Sequence, residues 1–259
     1  MYHRADVIYR YDGTWEGLLS CVFESFEKKV FPLDIRPWCE EQGMLLPERM
    51  IDTNEERARR VKASLRSRIS VELYDFLTKC FLTCLPQKEI HILMLIRKAY
   101  SLGPGILDQL TDDTVDILTK AVYHAEHEAH LLTGFVRFSV MGNILVSQIG
   151  PKNQVLPLIA PHFAQRFPRE AFLIHDSTHG MALVYRPYEW AIVPMEGFEM
   201  ASPDTQEAYY RALWQEFYDA IAIPARYNPH CRMSHMPKRY WKFMTEFQEK
   251  EPSVRAFRG

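Results

Sequence analysis

Apolar positions along the chain recur with two different periods, and the change between them divides the sequence into elements. Residues 6–11, DVIYRY, form a β-branched and aromatic run closed by the turn pair Asp12-Gly13. Thr14 follows as an N-cap, and Leu18, Leu19, Val22, Phe23 and Phe26 return at helical spacing, which predicts an amphipathic helix over residues 15–29. A proline-bearing loop is expected over 31–47. Residues 54–79 read as a helix with Val61, Leu65, Ile69 and Leu73 at every fourth position, running on apolar to Pro86. A strongly apolar, buried helix is expected over 87–101, broken by Gly103-Pro104-Gly105. Thr111 is expected to cap a further helix whose core stripe is Val115, Leu118, Val122 and Ala125.

Beyond residue 124 the period falls towards two. Residues 134–140 and 143–149 alternate as a hairpin around Met141-Gly142. Pro157 and Pro161 open a short helix. Residues 171–175 and 181–185 form a second strand pair around Asp-Ser-Thr-His-Gly, and 190–194 add a further strand. A helix over 203–221, a loop through Asn228-Pro229 and a closing helix over 237–249 complete the chain. Helices, then antiparallel strands, then helices predict an α+β fold. Its parts are a helical N-terminal region, a central antiparallel sheet of about four to six strands and a helical C-terminal region. With no obvious linker, residues 1–259 are expected to be a single compact domain with sub-regions 1–123 and 124–259. No GxGxxG or P-loop argues for a nucleotide-binding parallel sheet.

Composition narrows this little: of 259 residues, 47% are hydrophobic and 25% charged, with a formal net charge of −2. No apolar run is long enough to predict a membrane span, and the first residues do not read as a signal peptide. Five cysteines without a paired spacing suit a reducing cytoplasm, and with Cys80 and Cys84 four apart in an apolar run, both are expected in the core. No cofactor is implied, and the absence of a CxxC pair argues against a zinc ribbon or a conventional iron–sulfur cluster held by this chain alone.

Candidate chemistry gathers around the histidines. The segment His124–His130, HAEHEAH, falls short of a zincin HExxH by one residue, and it lacks the PCxxC that a nucleobase deaminase needs. Glu128 and His130 remain as a general acid/base or phosphate contact where helix meets strand, against the alternative of a solvated helix end. His175 and Asp176, with His179 close by, surround a predicted β-turn. An Asp beside a His fixes its tautomer and raises its basicity, so these residues are candidate catalysts or, with His130, metal ligands. The same stretch also reads as ordinary Asx-turn chemistry.

Charge distribution says more than net charge. Arg57, Arg59, Arg60, Lys62, Arg66 and Arg68 line one predicted helix face, with Glu55 and Glu56 among them. By contrast, residues 220–245 contain no Asp or Glu but hold Arg226, Arg232, Lys238, Arg239 and Lys242 with Tyr227, Tyr240 and Trp241 interleaved. Cations neutralise phosphates and flat rings stack on bases, so this window suits a nucleic-acid surface. The alternative is a helix with its rings inward and its cations in water.

Five stretches occur in one order: YDGTWEGLL at 11–19, EAHLLTGFVRF at 128–138, NQVLPLIAPHFAQRFP at 153–168, LIHDSTHGMALVY at 173–185 and NPHCRMSHMPKRYW at 228–241. Together they resemble the family of DNA metabolism or repair proteins encoded beside a radical SAM protein, a domain of unknown function sometimes fused to a uracil-DNA glycosylase domain. Where that family often carries a basic residue, this chain has Leu131. The resemblance implies a cytoplasmic process, DNA repair or modification, with DNA and a radical SAM protein as partners. DNA would be engaged through Arg137, Arg226, Arg232, Lys238, Arg239, Tyr240 and Trp241. If a base is excised or processed, Glu128, His130, His175 and Asp176 are the candidate catalysts. The alternatives are a non-catalytic adaptor for the radical SAM enzyme and a His-dependent metallohydrolase.

Overall fold

A computed structural model describes residues 3–38 and 46–248. Its contacts divide the chain into two compact units, Met1–Ala125 and Glu126–Gly259. The fold is α+β, with a mostly antiparallel five-stranded sheet in the second unit and helices in both.

The N-terminal unit opens on a β–α–β crossover. Strand β1 (His3–Tyr11) leads into α1 (Trp15–Glu27) and then β2 (Val30–Pro37), which pairs with β1 in parallel. A short strand, β3 (Glu48–Met50), pairs in parallel along the other side of β1, giving the order β2-β1-β3. This sheet corrects the expected loop over 31–47. The prolines misled because Pro32 and Pro37 lie on an edge strand, where a missing N–H costs little. Residues 39–45 of the expected loop lie outside the described residues.

The start of α1 explains the run DGTWEG. Asp12 Oδ1 accepts hydrogen bonds from the Thr14 amide (2.9 Å) and hydroxyl (2.7 Å), and Thr14 Oγ1 caps the helix by accepting from the Gly17 amide (2.9 Å). A Cβ on Gly17 would lie 2.2 Å from Asp12 Oδ1, so only glycine fits there.

The helix expected over 54–79 is instead broken into α2 (Glu55–Ser64), a π-turn (Leu65–Ile69) and α3 (Val71–Phe81). An apolar repeat of four outruns the 3.6-residue turn, so the stripe on a straight helix would drift by about 40° per step. The wide turn and the extended Ser70, which caps α3 by accepting from the Leu73 amide (3.0 Å), re-aim it. Helix α4 (Lys88–Leu102) is buried along Ile92, Leu93, Leu95 and Ile96 and ends at Gly103, whose φ is +84°. Cys80 is in the core, whereas Cys84 lies past the end of α3 and is exposed. Helix α5 (Asp113–Phe135) is capped by Asp112, which accepts from the Thr114 amide (2.9 Å), and not by Thr111.

In the C-terminal unit, the end of α5 reaches Phe135, so β4 (Ser139–Met141) is shorter than the strand expected over 134–140. It turns through Gly142 into β5 (Ile144–Ile149). Helix α6 (Leu156–Arg166) then carries the chain to β6 (Ala171–Asp176), which pairs with β5 in parallel. Antiparallel β7 (Met181–Arg186) and β8 (Glu189–Pro194) follow, giving the order β4-β5-β6-β7-β8. The core packs α5 and α6 residues against the sheet. Phe138 meets Phe163, Phe167 and Phe172 edge-on, and Phe172 stacks on Tyr185 at 4.6 Å.

Helix α7 (Thr205–Ile221) is capped by Asp204. The expected loop at Asn228-Pro229 instead begins helix α8 (Pro229–His235), with Asn228 as cap and Pro229 at its first turn. The expected closing helix is two 3₁₀ turns, Lys238–Phe243 and Thr245–Phe247, which place Tyr240 and Met244 in the core. Among the described residues no helix is long and apolar enough to cross a membrane.

Candidate functional site

The most heavily coordinated polar group of the C-terminal unit is Glu128, a carboxylate 3% exposed on the last turns of α5. Its Oε1 accepts from the Tyr240 hydroxyl (2.7 Å) and Arg239 Nη2 (3.0 Å). Its Oε2 accepts from the Asn153 amide (2.9 Å) and side-chain nitrogen (2.7 Å), and both oxygens take the Lys152 amide at 3.1 Å. Burial alone would raise its pKa. The hydrogen bonds from Tyr240, Asn153 and Lys152 outweigh that and hold it below the ordinary glutamate value. The same burial, with the Glu128 charge at 2.7 Å, pushes the Tyr240 phenol up. Glu128 is therefore an ionised anchor with its lone pairs filled, joining α5, the loop before α6 and the Lys238–Phe243 turn. A group so engaged makes a poor general base.

A second anchor lies close by in sequence. Arg137 donates to Glu246 through Nη2 (2.7 Å) and Nε (3.2 Å) and to the Gly134 carbonyl through Nη1 (2.8 Å). Glu246 also accepts from Trp214 Nε1 (3.1 Å), and the Arg137 guanidinium sits 5.7 Å from the Trp214 ring centre. Burial would raise the Glu246 pKa, but the Arg137 hydrogen bond lowers it overall.

His175 and Asp176 do not act on each other. They are consecutive on β6 and so project from opposite faces. His175 Nε2 lies 3.0 Å from the Met195 carbonyl, an acceptor only, so Nε2 carries the proton and Nδ1 accepts from Gln148 Nε2 at 3.4 Å. Phe198 covers the ring at 4.7 Å. Asp176 Oδ1 accepts from the amides of Thr178 (2.9 Å) and His179 (3.3 Å), an Asx-turn completed by Gly180 at φ +63°. Its Oδ2 meets His179 Nδ1 at 2.6 Å. The partner of Asp176 is thus His179, not His175. This pair orients the His179 ring and leaves Nε2 as the nitrogen able to exchange a proton. His130 is exposed on α5. Among the described residues, no group of three or more His, Cys, Asp or Glu side chains is placed to hold a metal ion.

The acid-free window sorts into anchors and surface. Tyr240 is 1% exposed, so it cannot stack on a base as expected. Trp241 stacks on Phe247 at 4.6 Å and donates from Nε1 to the Met236 carbonyl (2.9 Å). The Arg232 guanidinium lies 4.9 Å from the Trp241 ring and 5.5 Å from both Phe247 and Tyr227. Arg239 pairs with Glu128. Arg226, Lys238 and Lys242 are exposed. Among the described residues, Arg226, Arg232, Lys238 and Lys242 form no ion pair with a carboxylate.

A family model for a domain of unknown function, DUF4130, matches residues 86–246. The chain belongs to the DUF4130 family. No curated protein matches it. The DUF4130 match begins just before α4 and ends at Glu246, so it takes in Glu128, Asn153, Asp176, His179, Arg239 and Tyr240. Three of the five stretches singled out in the sequence meet at Glu128: it opens one, Asn153 opens another, and Arg239-Tyr240 lie in a third.

Sequence reasoning missed Asn153 as a partner of Glu128 and Glu246 as a partner of Arg137, because both pairings join residues far apart in the chain. His179 was legible as part of the turn. Its spacing of three from Asp176 across a predicted β-turn was the signal that these two would meet.

Proposed function

We propose that the chain is a DNA-binding repair or modification protein that works with a radical SAM partner and engages damaged or single-stranded DNA through its C-terminal unit. The observation that carries this reading is that Arg226, Arg232, Lys238 and Lys242 have no carboxylate partner among the described residues, in a window of the chain without a single acid. Cations without a carboxylate partner favour a polyanion because no internal ion pair is lost when it binds. Exposed rings on the same unit, Tyr227 at 68% and Trp214 at 39%, supply faces on which unpaired bases stack. The radical SAM partner rests on the family resemblance alone. A base-processing step in this unit falls to the Asp176–His179 pair, since Glu128 is engaged on both oxygens and His175 is held between Gln148 and Met195.

The adaptor reading has its own support. Helix α7 exposes Phe217 (53%) and Ile221 (57%), and Ile223 follows at 52%. Such an apolar face suits a protein surface. Co-purification with the radical SAM protein in the absence of DNA, lost in Phe217→Ser with Ile221→Ser, would favour it.

Fluorescence polarisation with short labelled single- and double-stranded DNAs at two salt concentrations tests the leading reading. Binding to single strands that weakens as salt rises, and that drops tenfold or more in Arg226→Glu with Lys238→Glu, is the expected result. An absence of binding at low salt would overturn it.

A further inference from the structure

Two neighbouring cavities of the C-terminal unit share Arg137, Arg211 and Thr245 in their walls. The smaller, about 280 Å³, is polar and brings Lys242, Gln148 and Ser202 to those shared residues, with no carboxylate in its lining. The larger, about 420 Å³, adds Tyr210, Trp214 and Phe138. The larger lies in the lower part of the range for small-molecule sites and the smaller just below it, and joined they fall within it.

The walls are built, not incidental. Arg211 on α7 donates from Nε to Glu207 (2.9 Å) and from Nη2 to the Ser139 hydroxyl on β4 (2.6 Å), which fixes its guanidinium plane. Its Nη1 bonds nothing among the described residues. Arg137 is held by Glu246, and Glu246 in turn orients Trp214 through Nε1. The Lys242 ammonium has only the Phe243 ring at 4.6 Å, again among the described residues. Three cations therefore face two carboxylates, Glu207 and Glu246, and the surplus of one positive charge belongs to Lys242. A phosphodiester carries one negative charge, so one phosphate balances the site. Tyr210, at 58% exposure, and Trp214 offer flat apolar faces next to it.

We infer that the joined cavities form a mononucleotide subsite for single-stranded nucleic acid. Lys242 and Arg211 Nη1 take a phosphate, and Trp214 with Tyr210 takes the adjoining base. This deepens the proposed function and rests on it. Lysine and tryptophan have separable signatures, because a phosphate contact contributes to the salt slope and a stacking contact does not.

The test uses the full chain and a 5′-fluorescein-labelled ten-residue oligothymidylate, with binding read by polarisation over a salt series. Lys242→Gln should weaken binding several-fold and flatten the log–log salt slope by about 0.7. Trp214→Leu should weaken it about tenfold with an unchanged slope, and Trp214→Phe should restore most of the loss. Lys242 is exposed, so its variant should fold whatever becomes of the tryptophan variants. If Lys242→Gln and a folded Trp214→Leu bind like the parent while Arg226→Glu with Lys238→Glu does not, the subsite is wrong and the nucleic-acid reading stands. If the parent chain does not bind the probe at low salt, both fall.

Discussion

Both units carry a cation-rich stretch, and the two are used differently. On α2 and the π-turn after it, Arg57, Arg60, Lys62 and Arg66 meet their own chain. Arg57 pairs with Glu24 (3.2 Å) and Glu27 (3.7 Å), Arg57 and Arg60 lie 5.1 Å from the Phe23 ring, and Lys62 and Arg66 sit over Tyr74. Arg59 shares a cavity of about 600 Å³ with Glu16, Glu55 and Glu56. In the C-terminal window, Arg239 has a carboxylate in Glu128, and Arg232 is held by rings. Arg226, Lys238 and Lys242 face solvent. A count of lysines and arginines would rank the helix first. Carboxylates offset that lead, because Glu16, Glu55 and Glu56 lie among the α2 cations while residues 220–245 contain no acid at all.

The largest effect expected concerns an anchor. Glu128→Ala removes an acceptor used by the Tyr240 hydroxyl, the Asn153 side chain and two backbone amides. It should destabilise the C-terminal unit by about 3 kcal/mol, most of it from unmet donors and little from half-exposed Arg239. Chemical denaturation would measure it, and a loss under about 0.5 kcal/mol would deny that Glu128 organises the unit. The pH dependence has a definite sign. The folded pKa of Glu128 is depressed, so its contribution is present above the unfolded glutamate value and is lost as pH falls through the folded value. The stability gap between the parent and Glu128→Gln should therefore be full above about pH 5 and shrink on acidification below about pH 4.

Next in size is the direct contrast. Arg226→Glu with Lys238→Glu should reduce single-strand affinity at least tenfold, whereas Arg60→Glu with Arg68→Glu should leave it within about twofold. Equal losses from the two pairs would erase the distinction between the regions. A smaller effect needs no change of charge. A Cβ on Gly150 would lie 2.8 Å from the Phe243 ring, beside Lys242, so Gly150→Ala must displace that ring. It should cost about 1–2 kcal/mol in denaturation and lower affinity a few-fold with the salt slope unchanged.

Much of this was legible from the sequence where the signal was local. The alternation of 143–149 and 181–185, the N-cap Thr14 and the Asx-turn at Asp176 all depend on neighbours in the chain, and they appear where the pattern placed them. Strand β2 was hidden because its prolines are tolerated only at a sheet edge, and edge position is a property of the assembled sheet. The closing segment is expected as a helix, yet Tyr240 and Met244 reach the core from two successive 3₁₀ turns and the residue between them, tied to Glu128 and Trp241. The separation of anchors from surface cations was also out of reach. Glu128 and Arg239 are 111 residues apart, and Arg137 and Glu246 are 109 apart.

The salt dependence of the unmodified chain bears most directly on the claim that the C-terminal unit is the nucleic-acid surface. On a ten-nucleotide single strand, four unpaired cations predict a log–log slope of about −3. A slope near zero would mean that phosphates are not what the chain binds. One steeper than about −5 would require more cations than residues 220–245 leave unpaired, and would bring further basic residues, the arginines of α2 among them, to the interface.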